Sequence, residues 1–175
     1  MIQLHDKTFE SYISNDELQE INQRLANQIY KDYYNKNPIF IGVLNGAFLF
    51  LSDLIQAYPG FCHVDFVKFK SYSGLASTGK VTTLLDFPNI AGKDVIIVED
   101  IVDTGKTLEK ILERVDSLKA NSYKIASLFF KPEAFEFNYP IDYVGKNIPD
   151  KFIVGYGLDY DGLGRNLADI YQLKQ

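Results

Sequence analysis

The sequence predicts an α/β domain with a central, mainly parallel sheet flanked by helices. Two strand–turn–helix units carry that prediction. Val95-Ile96-Ile97-Val98 is apolar, mostly β-branched and too short for a helix, as expected of a strand buried on both faces of a parallel sheet. Behind it, Leu108, Ile111, Leu112 and Val115 recur at helical spacing. The second unit runs from the apolar stretch Ile39–Leu44 through the tight turn Asn45-Gly46-Ala47 into an apolar helix, Phe48–Ala57. A capping box, Ser14 with Glu17 three residues on, adds a helix before these units.

Bulk properties set the limits. At 175 residues the chain is expected to form one domain over 1–175, long enough to bury roughly 70% of its unfolded surface. With 46% hydrophobic and 23% charged residues it has the composition of a globular protein. A net charge of −5 and a pI near 5.0 argue against a general nucleic-acid binder, which needs a basic face. The lone cysteine, Cys62, allows no internal disulfide and fits a reducing compartment. MIQLHDKTFE reads as neither a signal peptide nor a basic transit segment, and no apolar run nears the ~20 residues of a membrane helix. A cytoplasmic protein is expected.

The elements follow in order. Leu18, Ile21, Leu25 and Ile29 make roughly 15–36 an amphipathic helix, ended by Asn35, Asn37 and Pro38. Ile39–Leu44 and its turn aim backbone amides at the carboxyl edge of the sheet, where open α/β sheets bind ligands. Val64–Lys70 alternates as a strand, and residues 71–79 form a polar, Gly-punctuated loop. Val81–Leu85 then returns as the second arm of a long hairpin. Lys124–Phe130 is a further apolar strand, closed by Lys131-Pro132. Asp142–Gly145 and Phe152–Gly155 read as short strands, and Leu167–Leu173 as a short helix or edge strand.

The chemistry concentrates between residues 99 and 107. Three acids (Glu99, Asp100, Asp103) and two threonines (Thr104, Thr107) fall in nine residues behind a buried strand, with Gly105 and Lys106 among them. Backbone N–H groups and hydroxyls at a helix start hold phosphate, while adjacent carboxylates suit a diol, a metal or nearby positive charge. Gly105-Lys106-Thr107 also matches the end of a nucleoside-triphosphate loop, G-x-x-x-x-G-K-[ST]. The first glycine of that pattern falls at Asp100, whose charge would face the phosphates, so that reading is rejected.

The segment EDIVDTGKT resembles the phosphoribosyl-diphosphate (PRPP) motif of type I phosphoribosyltransferases, most closely the hypoxanthine-guanine branch. The resemblance covers roughly residues 10–173. It implies that family's fold, with a small hood formed by the terminal segments, mainly about 140–175. It also implies a purine-salvage reaction: 5-phosphoribosyl transfer from PRPP to N9 of hypoxanthine, and of guanine, with Mg²⁺ and release of diphosphate. By the same resemblance Glu99 and Asp100 contact the ribose hydroxyls and a shared Mg²⁺, and Thr104, Gly105, Lys106 and Thr107 cradle the 5-phosphate. Asp103 becomes the proton-transfer partner at purine N7. Asn45 and Gly46 lie in the diphosphate loop, where Asn45 replaces a residue that is often basic, leaving backbone amides as the main donors. Ser71 and Tyr72 match a lid that closes over the substrates.

Base recognition is implied in the second half. Lys131 would donate to O6 of a 6-oxopurine, Phe152 would stack on the ring, and the Ile153 backbone would bind the base edge. Asp159 would hold Mg²⁺ through water and Arg165 the diphosphate. Read singly, Phe152 is a core aromatic and Asp159 a surface turn acid; their order behind the motif favours the site. The resemblance further implies a homodimer or homotetramer. Two alternatives were weighed: a phosphoribosyltransferase for xanthine, adenine or a pyrimidine, and a PRPP-sensing regulator that binds RNA or DNA. The second needs a Lys/Arg cluster that this chain lacks.

Overall fold

The computed structural model describes residues 1–71 and 81–174. Among these, strands β1 (Ile2–Leu4) and β2 (Lys7–Ile13) precede helix α1 (Asn15–Asp32). Then come β3 (Ile39–Leu44), α2 (Phe48–Ala57), β4 (His63–Ser71), β5 (Val81–Leu85), β6 (Asp94–Val102) and α3 (Lys106–Ser117). The chain ends through β7 (Ser122–Phe130), β8 (Tyr143–Asn147), β9 (Ile153–Val154) and β10 (Ile170–Leu173).

A six-stranded sheet, ordered β5-β4-β3-β6-β7-β8, forms the frame. Its strands β4, β3, β6, β7 and β8 pair in parallel, while β5 folds back antiparallel on β4 as the arm of the expected hairpin. Period-two alternation distributes the core. Phe40, Ile96, Val98, Ala126 and Leu128 pack with the buried faces of α1 and α2. Ile39, Ile41, Val43, Val95, Ile97 and Ile125 face Leu108, Ile111, Leu112 and Val115 of α3. Each such fully buried aliphatic contributes about 1.5–3 kcal/mol, so α3, and the turn at its start, is anchored by its apolar stripe.

A second sheet, β1-β2-β10-β9, is antiparallel throughout and joins both ends of the chain. Strands β1 and β2 had no counterpart in the sequence reading. Only Phe9 and Ile13 of β2 are buried, too sparse a pattern to register as a strand. Leu167–Leu173 resolves to the strand β10, which lies between β2 and β9 rather than at an edge.

Two boundaries differ instructively. Helix α1 stops at Asp32, four residues short of the expected 36: the Tyr33 amide caps onto the Ile29 carbonyl, and Asn35 turns left-handed at φ 59°. Strand β6 runs on to Val102, because Glu99, Ile101 and Val102 pair with Ser127, Phe129 and Phe130 of β7. Glu99 and Asp100 therefore sit within the strand, which fixes their backbone, instead of in a loop behind it.

Candidate active site

The site forms where β3, β6 and β7 end and the second sheet meets the first. The turn from β6 to α3 is its floor. Gly105 is the helix N-cap at φ 85° and offers no side-chain cap, so the first amides of α3 have neither an intrahelical nor a side-chain acceptor. The first intrahelical bond is from the Glu109 amide to the Gly105 carbonyl. Those free donors line a pocket with Asp103, Thr104, Lys106 and Thr107, the arrangement that binds an anion at a helix start. Gly105 is required twice, by its left-handed backbone and by space: a Cβ there would lie 2.5 Å from the Phe135 ring. Phe135, Phe137 and Tyr139 form a mutually packed aromatic block behind the turn, and the Tyr139 hydroxyl donates to the Gly105 carbonyl at 3.1 Å. The sequence reading saw this stretch only as an aromatic connection. Lys106 forms an exposed ion pair with Glu136 at 2.9 Å.

A second pocket adjoins the first, sharing Glu99 and Thr107, and is lined also by Val43, Leu44, Gly46, Phe69 and Asp100. Here the backbone of the Asn45-Gly46 turn, which follows a cis peptide at Leu44–Asn45, lies directly against the acid ledge. A Cβ on Gly46 would fall 1.6 Å from Asp100 Oδ2. Glu99 is buried and has no ion-pair partner among the described residues. Burial, then the charge of Asp100, pushes its carboxyl well above the usual carboxylate range. Burial likewise raises Asp100 to about 6, against the lowering effect of backbone hydrogen bonds and Arg165. Two adjacent carboxylates held this way want a cation or hydroxyl donors between them.

On the other side of the β6 end, Lys131 reaches back from β7. Its side chain is only 8% exposed, and its ammonium bridges Asp103 Oδ2 at 3.1 Å and Asp150 Oδ1 at 2.9 Å. Burial works against the charge, but the hydrogen bonds to Asp150 and Asp103 together outweigh it and raise the Lys131 pKa. Asp150 was not among the expected site residues. Its signal, an acid two residues before the candidate stacking ring Phe152, is legible only once Lys131 is seen beside it. Phe152 itself is 45% exposed and packs edge-on to Tyr160. The Leu173 amide donates to the Phe152 carbonyl, and Val154 pairs with Tyr171, so ladder alternation turns the Ile153 N–H and C=O away from β10. Because β9 is the last strand of its sheet, that backbone faces an open edge.

Asp159 and Arg165 lie together, ion-paired at 2.5 Å, with Asp159 also accepting from the Gly162 amide and Arg165 donating to the Gly157 carbonyl at 2.7 Å. Glu99, Asp100 and Asp159 do not form a three-acid metal cage; among the described residues no group of three or more such side chains does. In this structure the Asp159 carboxylate meets Arg165 and the Gly162 amide. Asn45 is exposed. Of the two expected lid residues, Ser71 ends β4, while its side chain and Tyr72 lie outside the described residues.

An uncapped helix start, an acid ledge and a second sheet across the same sheet edge make a site suited to an anion beside hydroxyl groups or a cation. The family model described as the phosphoribosyl transferase domain matches residues 12–161. The hypoxanthine-guanine phosphoribosyltransferase of Staphylococcus aureus (strain Mu50) is 42% identical over 173 residues, 98% of this chain and 97% of that protein. That of Streptococcus pyogenes serotype M3 is 44% identical over 166 residues, 94% of this chain and 92% of its own length. A crystal structure of a hypoxanthine-guanine phosphoribosyltransferase from Bacillus anthracis superposes with a TM-score of 0.90 at 38% identity, covering 97% of this chain and all of that one. The chain belongs to the phosphoribosyl transferase family. No helix among the described residues is long and apolar enough to cross a membrane.

Proposed function

We propose that the protein is a purine-salvage enzyme that transfers the 5-phosphoribosyl group of PRPP to N9 of hypoxanthine, and of guanine. The N9–C1 bond forms as the bond from C1 to diphosphate breaks, and diphosphate leaves with the electron pair. One observation carries the choice of base: the Lys131 ammonium stands 3.1 Å from a carboxylate oxygen of Asp103. On a 6-oxopurine, O6 and the N7 proton site are neighbours on one edge, so a donor beside an acceptor matches them together. Adenine presents an amino donor at position 6, which an ammonium repels.

In this reading Asp103 receives the proton from N7, and Lys131 orients the base, itself held by Asp150. Phe152 stacks on the purine, and the Ile153 backbone bonds its free edge. The uncapped start of α3, with Thr104 to Thr107, holds the 5-phosphate. Glu99 and Asp100 take the ribose hydroxyls, and their fixed negative charge stabilises the positive character that grows on the sugar. The Asn45-Gly46 backbone and Arg165 hold the diphosphate.

Mg²⁺ fits the donor set, because a buried and a half-buried carboxylate side by side, both with raised pKa values, gain most from a hard oxygen-seeking cation. Glu99 and Asp100 would hold it, with Asp159 reaching it through water; when bound, it neutralises charge on the departing diphosphate. The chain is taken as one domain, its second sheet serving as the hood over the base, in a cytoplasmic homodimer or homotetramer. The test is an assay of purified protein with PRPP, Mg²⁺ and, separately, hypoxanthine, guanine, xanthine and adenine. Nucleotide formation with the first two is expected. Turnover of adenine alone, or of none, overturns the reading.

A further inference from the structure

One buried polar network takes no part in the chemistry above, yet touches the diphosphate side of the site. Its centre is Tyr156, 3% exposed, whose hydroxyl donates to Asp53 Oδ2 of α2 at 2.6 Å and accepts from Asn22 Nδ2 of α1 at 2.7 Å. Gln19 donates to the same Asp53 oxygen at 2.7 Å. The backbone around Tyr156 is unusual. Gly155, Tyr156 and Gly157 lie consecutively in the left-handed region, at φ 106°, 46° and 101°. A large side chain between two glycines in that conformation needs compensation from elsewhere. The buried ring and the hydroxyl's two partners supply it.

The same three residues form a wedge. On one side a Cβ at Gly157 would lie 2.1 Å from the Gly46 carbonyl oxygen, so this turn sits directly on the Asn45-Gly46 loop. On the other, the Tyr156 amide donates to the Leu167 carbonyl at 2.8 Å and the Gly157 amide to the Arg165 carbonyl at 3.0 Å, while the Arg165 side chain returns to Gly157. Asp53 lies on α2, the helix that starts two residues after Gly46. The Tyr156–Asp53 bond therefore ties the wedge to the element that carries the loop beneath it, closing a brace around Gly46 and Arg165.

We infer that Tyr156 is a positioning residue for the diphosphate half of the sugar substrate: through Asp53 it holds the Gly46 loop and Arg165 at the spacing that binds diphosphate. The inference rests on the phosphoribosyltransferase reading. It separates from that reading because it predicts which ligand suffers. Tyr156→Phe removes only the hydroxyl. The expected result is a roughly tenfold rise in KM for PRPP, the scale of one hydrogen bond to a charged acceptor, with kcat and the hypoxanthine KM within twofold of wild type. Inorganic diphosphate with Mg²⁺, titrated by calorimetry, should weaken by the same factor.

Asp53→Ala should reproduce the pattern from the other end of the bond, and remains informative if the tyrosine variant does not fold. Asp53→Asn keeps an acceptor oxygen for the Tyr156 hydroxyl and should recover most of the affinity. A fall in melting temperature with diphosphate affinity unchanged, or an equal weakening of diphosphate and hypoxanthine, overturns the inference and leaves the enzyme assignment standing. Wild-type protein that binds neither PRPP nor diphosphate overturns both.

Discussion

Replacing Gly46 with alanine isolates the contact on which the sugar-binding half of the site depends. Gly46 does not occupy the left-handed region, so alanine meets no backbone penalty there. The methyl group would nevertheless lie 1.6 Å from Asp100 Oδ2, 2.4 Å from its Cγ and 3.0 Å from Oδ1. Normal carbon–oxygen contact is about 3.4 Å, so the carboxylate or the loop must retreat by more than about 1 Å. Overpacking of this kind costs about 1–3 kcal/mol. For a chain of this size that corresponds to a melting temperature lower by about 2–12 °C. Misplacement of a reacting group by about 1 Å costs on the order of a hundredfold, so kcat/KM for PRPP should fall by about that factor. Coupled spectrophotometric assays and thermal melts give both readings. Asp100→Ala added to Gly46→Ala makes room for the methyl and should recover most of the stability and none of the activity. Gly92→Ala is the control: φ is 70° and nothing lies within 4 Å, so it should cost about 1 kcal/mol of stability and leave turnover intact. A Gly46→Ala protein that melts within 1 °C of wild type and turns over normally would refute the reasoning.

Four further outcomes are expected. Asp103→Asn should lower kcat more than about tenfold with PRPP affinity retained, and steady-state kinetics showing unchanged turnover would remove Asp103 from the chemistry. Lys131→Ala should raise the hypoxanthine KM and weaken selection of 6-oxopurines; because Asp103 and Asp150 are half-exposed and can be hydrated, the fold should survive, and an unaltered KM would count against the O6 contact. Glu99→Gln should stabilise the ligand-free protein while lowering PRPP turnover. Burial and Asp100 raise the folded-state pKa of Glu99, so the contribution of this one group is full below the ordinary glutamate pKa and is lost as pH rises; the variant's advantage should grow from pH 4 towards neutrality, and a melting temperature below wild type at pH 7.5 would contradict this. Asp94 has the opposite sign: hydrogen bonds from Ser122 and Asn121 and the Lys36 charge outweigh burial and hold its carboxyl below the usual value. Its stabilisation is present above the ordinary carboxylate pKa and lost as pH falls through the lowered one, so Asp94→Asn should flatten the decline in melting temperature between pH 5 and 3.

The floor of this site was legible in the local pattern, because β6, its acids and the turn into α3 are consecutive in the chain; the base- and diphosphate-binding residues were assigned by resemblance. Periodicity identified the strand and the helix, and Thr104-Gly105 the turn between them. What remained hidden depends on contacts between distant segments. Strands β1 and β2 bury two residues of ten; they pair with each other, and β2 joins the sheet through β10, some 160 residues later. Helix α1 ends at Asp32, just ahead of the expected stop signals, through a Tyr33 amide that caps onto the Ile29 carbonyl. Asp150 reads as a loop acid until β7 brings Lys131 to within 2.9 Å of it. Gly46 was expected in the diphosphate loop by resemblance, but its close contact with Asp100, and that of Gly157 with Gly46, are visible only in three dimensions.

The two halves of the site stand in different electrostatic conditions, and this is the deeper reason the acids of β6 read as functional. Beside β7, the buried Lys131 is neutralised by two carboxylates, so that half is satisfied without ligand. Beside β3, Glu99 is buried, Asp100 is half-buried next to it, and neither forms an ion pair among the described residues, a disposition that folding alone disfavours. Neither acid belongs to the apolar core: β6 supplies that through Val95 to Val98 and again through Val102, with Ile101 packed against it. Charges kept where they cost stability are explained by a ligand that brings the compensating charge and hydroxyls with it. The sugar diphosphate and divalent cation proposed above would do so, and the Gly46 backbone, pressed against Asp100, leaves that carboxylate little room on its side of the pocket.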